Sequence, residues 1–198
     1  MSKAVMLSIR PKWVEKIASG EKTIEVRKTR PKLDTPFKCY IYCTLQGCNE
    51  FFRVDLGRDV AKWNRGKWAD RKGKVIGEFT CDRIYEIDKD STDFLFKAGG
   101  LSVYKQAAEE KCGLCVAMTD DELHGYLGHC QGYGWHISDL LIYDQPRELS
   151  EFQRATDPCD SCHAEYTWEC TDCKKLGGDI KRPPQSWCYV EAIKDGNG

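Results

Sequence analysis

Apolar residues come in short bursts along this chain, each closed by glycine, proline or charge, and the bursts alternate between strand and helix periods. Val5 to Ile9 reads as a first strand. Pro11 suits the opening turn of a helix with Trp13, Val14, Ile17 and Ala18 on its apolar face, and Gly20 would end it. From Thr23 to Lys28 the period drops to two: Ile24 and Val26 share one face, and Thr23, Glu25 and Arg27 share the other. That is the pattern of a half-buried strand.

Phe37 to Thr44 predicts a third strand, and Lys74 to Ile87 a fourth, long enough to bend or bulge near Gly77. Between them, Leu45 to Gly73 breaks the pattern and reads as an insertion or long loop, with one short strand at Phe51 to Leu56. Leu101 to Cys112 has helical composition, and Thr119-Asp120-Asp121-Glu122 is a capping box opening a helix to about Leu127. Gly132 to Tyr143 returns to strand character, Glu148 to Arg154 suggests a last helical turn, and Gln185 to Ile193 closes as a strand. Many short strands with few helices point to an α+β fold. A small mixed β-barrel with peripheral helices is the simplest way to bury every apolar face and remove the edges.

Length and composition fit this. A chain of 198 residues, 41% hydrophobic and 11% aromatic, can bury a real core, while 31% charged residues and a mean hydropathy of −0.58 imply a well-solvated surface. Thirty basic and thirty-one acidic residues leave a net charge of −1, so any attraction to nucleic acid is local. Basic residues do gather at Lys22, Arg27, Lys28, Arg30 and Lys32, and again between Arg58 and Lys74. No apolar run approaches the roughly 20 residues that span a bilayer, and no secretion-type leader is visible at the N-terminus; the expectation is a cytoplasmic protein without a membrane partner.

The stretch Ser19-Gly20-Glu21-Lys22-Thr23-Ile24-Glu25-Val26-Arg27, leaving a helix and entering a strand, resembles the Gly-x-Lys-x-x-Glu-x-Arg signature of ASCH domains, relatives of the PUA fold. The preceding Leu7-Ser8-Ile9-Arg10-Pro11 is similar too. Gly132 to Leu140 and Pro183 to Glu191 look like segments of phage and gut-bacterial proteins of the same superfamily. The resemblance covers roughly residues 3 to 145 plus the final strand. It implies a PUA-like barrel over residues 1–150, with residues 45–73 inserted and 183–194 as closing strand, and a cleft that takes nucleic acid or a modified base. Glu25 and Arg27 then share a face where a guanidinium clamps phosphate or a base edge and a carboxylate accepts from an exocyclic amine. Lys22 has the opposite parity and joins them only from the turn before regular pairing begins. The plainer alternative is a surface ion pair between Glu25 and Arg27, worth at most about 1 kcal/mol.

Trp63-Asn64-Arg65-Gly66-Lys67-Trp68 interleaves two indoles with basic groups, which suits a stacking wall for single strands; equally, Trp63 and Trp68 can pin a long loop to the barrel. Twelve cysteines without a leader read as metal ligands and small hydrophobes. Cys159-x-x-Cys162 followed by Cys170-x-x-Cys173 supplies four thiolates for one tetrahedral, structural zinc in residues 155–180, with His163 and Cys188 as substitutes. Cys39 and Cys43, about 13 Å apart along a strand, belong in the core. Cys112-x-x-Cys115 with His129 or Cys130 is a weaker second metal candidate beside a simple buried reading.

These features support a nucleic-acid binding protein, RNA or modified nucleoside being the expected ligand, with a regulatory role. A competing reading is an amidohydrolase acting on acylated cytidine, with Lys22 as candidate catalytic residue. Its ASCH relatives use a lysine, a threonine three positions on and a distant glutamate, and here position 25 is Glu. A third reading, an adaptor whose zinc lobe binds a protein partner, has no positive signature.

Overall fold

The structure is a computed structural model and describes residues 2–45, 71–89, 93–128, 130–155 and 178–193. Its first elements are β1 (Lys3–Ile9), α1 (Pro11–Ala18), β2 (Ile24–Arg27), β3 (Phe37–Cys43), β4 (Val75–Cys81) and β5 (Ile84–Lys89). There follow β6 (Phe94–Ala98), β7 (Leu101–Tyr104), α2 (Lys105–Cys112), α3 (Asp120–Leu127), β8 (Gly132–His136) and β9 (Ser138–Arg147). A 3-10 turn at Leu149–Glu151, β10 (Gln153–Arg154), β11 (Gly178–Asp179) and β12 (Trp187–Glu191) complete the described chain.

The chain divides into two compact units. The first comprises Met1–Lys12, Lys38–Glu78 and Leu141–Gly198. Through it runs a seven-stranded sheet in the order β11-β10-β12-β1-β3-β4-β9. β1 is central, parallel to β3 and antiparallel to β12, and its uninterrupted apolar run is what a strand covered on both faces requires. Ala4 and Met6 pack with Tyr40, Tyr42, Val75, Phe152, Ile180 and Val190 into one core. Cys39 and Cys43 are buried, as their spacing implied. Gly77 lies where a side chain would collide with the backbone carbonyl of Leu141, so its lack of a Cβ permits a close strand approach.

The second unit comprises Trp13–Phe37 and Phe79–Leu140. Its antiparallel sheet has the order β2-β8-β5-β6-β7. Ile24, Val26, Tyr85, Ile87, Phe94 and Phe96 from the strands meet Ala108, Leu114, Val116, Leu123 and Leu127 from the helices and the segment between them. The expected capping box is present: Glu122 N donates to Thr119 Oγ1 at 3.2 Å, and Thr119 N donates to Glu122 Oε2 at 3.0 Å.

Several expected boundaries shift, each for a local reason. The long fourth strand is two, β4 and β5, because Asp82 and Arg83 leave the ladder to meet His136, whose Nδ1 lies 2.6 Å from Asp82 and whose N–H donates to Arg83 O. The strand expected from Gly132 to Tyr143 breaks at Ile137, which donates instead to Thr23 O, and Asp139 turns through φ 48°. Leu101 to Tyr104 is strand, not helix: Gly99 and Gly100, at φ 54° and 85°, make a two-residue hairpin pairing β6 with β7. The Glu148–Arg154 helical turn is a single 3-10 turn followed by β10. Among the described residues the strands form two sheets of linear order and no closed barrel. β2, at the end of its sheet, donates outward to the Cys115 carbonyl in place of a further strand. The expected strand at Phe51 to Leu56 lies outside the described residues.

Candidate functional site

Local chemistry turns α1 into β2. Val14 and Ile17 bury the inner face of the helix, and Gly20, at φ 80°, ends it by donating to Ile17 O. Lys22 N–H donates back to Lys16 O, which holds Lys22 in the turn ahead of the ladder. The next residue is a latch. Thr23 Oγ1 donates to Gly113 O at 2.9 Å and accepts from Cys115 N at 2.8 Å, and the N–H groups of Thr23 and Ile24 both donate to Cys115 O. The segment after α2 is thereby tied to the start of β2.

Strand alternation then sorts β2. Ile24 and Val26 face the core, which puts Glu25 and Arg27 on the other side. That side is not solvated: Lys22, Glu25 and Arg27 are 2%, 6% and 5% exposed. Lys22 Nζ donates to Val116 O at 2.7 Å and lies 3.5 Å from Glu25 Oε2; Arg27 Nη2 lies 2.9 Å from Glu25 Oε1. One carboxylate thus bridges two cations. Burial lowers the pKa of Lys22, opposed by the nearby Glu25 carboxylate, with Arg27 reinforcing the drop and the Cys115 thiol countering it.

β8 completes the face. Trp135 stands opposite Glu25 and Tyr133 opposite Arg27, while Gly134 pairs with Val26 on the core side. A Cβ on Gly134 would come within 2.8 Å of Ile24 Cγ2, and one on Gly132 within 2.7 Å of Leu127 Cδ2. Glycine toward the core and aromatic toward the site is therefore the packing logic of Gly132-Tyr133-Gly134-Trp135. Trp135 is fully buried and sits edge-on to Phe37, with centroids 5.7 Å apart. On the helix side, Trp13 has Lys22 Nζ 5.2 Å and Lys16 Nζ 5.7 Å from its ring centroid.

Lys22, Glu25 and Arg27 therefore come together, with Lys22 in the pre-strand turn. Trp13, Lys16 and the carbonyls of residues 113–117 did not stand out in the sequence. Trp13 reads as ordinary helix packing, and backbone acceptors carry no sequence signal. Trp63, Arg65, Lys67 and Trp68 lie outside the described residues, as do Cys159, Cys162, Cys170 and Cys173. No group of three or more His, Cys, Asp or Glu side chains among the described residues is placed to hold a metal. Cys112 is exposed and Cys115 partly buried, and His129 is outside the described residues. The Cys81 thiol, also buried, is pushed up to about 12 by that burial and stays protonated.

Chemically, the cluster combines a planar guanidinium in Arg27, a carboxylate in Glu25 and a desolvated amine in Lys22. No described helix is long and apolar enough to cross a membrane. No protein-family model matches the chain, and neither does any curated protein sequence. Solved structures do. The ASCH protein from Zymomonas mobilis is 16% identical with a TM-score of 0.50, covering 95% of this chain and 87% of that one. A tyrosine-to-phenylalanine variant of the same protein gives 16% and 0.50, covering 96% and 91%. Identity this low speaks for architecture alone, and on that ground the chain has an α+β fold of the ASCH type.

Proposed function

We propose that this chain binds nucleic acid, RNA or a modified nucleoside in particular, through Lys22, Glu25 and Arg27, in a regulatory role. The observation that supports this is the burial together of Glu25 and Arg27 on one face of β2 with Lys22 from the turn before it. Removing charge from water costs several kcal/mol per ion, so a buried charged cluster of this kind is more often functional than structural. A ligand with a hydrogen-bonding base edge and a phosphate matches this set of groups: a guanidinium pairs with a base edge or phosphate, a carboxylate with an exocyclic amine and an ammonium with negative charge. The likeness to the ASCH signature supports the same ligand class. In this reading the Trp63 to Trp68 segment is a nearby stacking wall, and zinc on Cys159, Cys162, Cys170 and Cys173 is structural.

The test is titration of short single-stranded RNA and DNA pools at two salt concentrations. A near-neutral chain should show a shallow salt slope. Arg27→Ala should cost about 1 to 3 kcal/mol and change base preference, whereas Trp68→Ala should weaken binding with preference unchanged. Wild-type protein that binds neither pool would refute the assignment.

A second reading, amidohydrolysis of an acylated cytidine, draws support from the lowered pKa of Lys22, since a desolvated amine is a competent base or nucleophile. Two features weigh against it. Glu25 replaces the threonine of the relatives, and the neighbouring Thr23 hydroxyl is already committed to Gly113 and Cys115. Acetylated cytidine should therefore not be turned over; turnover abolished in Lys22→Ala would reverse the ranking.

A further inference from the structure

Helix α1 brings a second lysine to the same indole. Lys16, three residues after Trp13, donates from Nζ to Ala117 O at 3.2 Å, one residue beyond the Val116 carbonyl that receives Lys22. The two ammonium groups thus bind consecutive carbonyls and both lie within 6 Å of the Trp13 ring. Ala117 has φ 54°, a left-handed conformation that a residue with a Cβ rarely adopts, and such conformations concentrate where a site fixes the backbone. The two lysines differ in depth: Lys22 is buried, and Lys16 is only partly so.

We propose that Lys16, seated on Trp13, is the phosphate contact of the site, and that the ligand is accordingly a phosphorylated nucleotide, free or within a strand, and not a bare nucleoside. This rests on the reading that Lys22, Glu25 and Arg27 hold the base. The deep groups then read the base edge, while the partly exposed ammonium meets the phosphate with two of its three N–H groups still available beside the one given to Ala117. Trp13 supplies a ring over which a cation is favourable.

The experiment is calorimetric titration of the whole protein with the common ribonucleosides and acetylated cytidine, each compared with its 5′-monophosphate. Wild type should bind the monophosphate of its preferred base roughly tenfold more tightly than the nucleoside. Lys16→Gln, which removes the charge yet keeps an N–H donor, should bring that ratio close to one. Lys16→Arg should retain the ratio. If nucleoside and monophosphate bind equally, or Lys16→Gln keeps the wild-type ratio, the phosphate assignment is wrong and the base site stands. If wild type binds neither series, the base site falls and the phosphate contact falls with it.

Discussion

Oε1 of Glu25 lies 2.9 Å from Nη2 of Arg27, and each side chain is only 7% exposed. In water such a pair would contribute at most about 1 kcal/mol. Out of water the pair gains little by itself, but losing one member takes a compensating charge from the other. Glu25→Ala leaves Lys22 and Arg27 buried without their shared carboxylate and should cost about 3 to 5 kcal/mol in urea unfolding. Arg27→Ala leaves Glu25 with Lys22 and should cost less. Equal losses for the two variants would mean that Glu25 does not bridge the cations.

Lys22 sets a pH dependence whose sign is unusual for a basic residue. Its folded pKa lies below 10.5, chiefly through burial, so in the window between the two values the unfolded chain holds more protons. Below that window Lys22 is charged in both states and the burial penalty is fully present. Stability should therefore rise with pH as it passes through the lowered value toward 10.5, and the rise should vanish in Lys22→Met. Urea midpoints measured from neutrality into the alkaline range check this; a wild-type curve parallel to that of Lys22→Met would contradict it.

Gly134→Ala inserts a methyl group 2.8 Å from Ile24 Cγ2 and 3.4 Å from Ile87 Cδ1, inside a filled core. The expected loss is about 1 to 3 kcal/mol, accompanied by weaker ligand binding because β2 is displaced with its charged face. Gly99→Ala has nothing within 4 Å and strains only the hairpin backbone at φ 54°, so it should lower stability without touching affinity.

The zinc assignment rests on Cys159, Cys162, Cys170 and Cys173 in the sequence. Protein purified without chelator should carry close to one zinc per chain, and Cys170→Ser should lose it. Because structural zinc contributes on the order of 10 to 16 kcal/mol to folding in finger peptides, chelation should unfold that lobe. A metal-free wild type, or an iron-sulfur chromophore, would overturn the assignment.

How far the sequence could be read depended on the range of the interactions involved. The α1 to β2 passage and the start of α3 were legible because Gly20, the two-residue alternation and the capping box at Thr119 are each decided within a few residues. The Gly99-Gly100 hairpin was equally local and still went unread, since Leu101 to Cys112 has the composition of one continuous helix. Burial of Glu25 and Arg27 was not legible at all: the same alternation describes a solvated pair, and only the packing of Trp135 and the 113–117 segment decides between them. The breaks at Asp82 and Ile137 depend on His136 and Thr23, partners far away in sequence, and no local pattern announces them.

The latch at Thr23 bears on what kind of ligand β2 can accept. A strand at the end of a sheet normally offers a row of open N–H and C=O groups to any extended peptide. Here the N–H groups of Thr23 and Ile24 are already spent on Cys115 O, so the start of β2 cannot take on an added strand through its main chain. In the proposed reading, a ligand meeting the start of β2 would be held by side chains, which favours ligands with distinctive functional groups over polypeptides offering a repeating backbone.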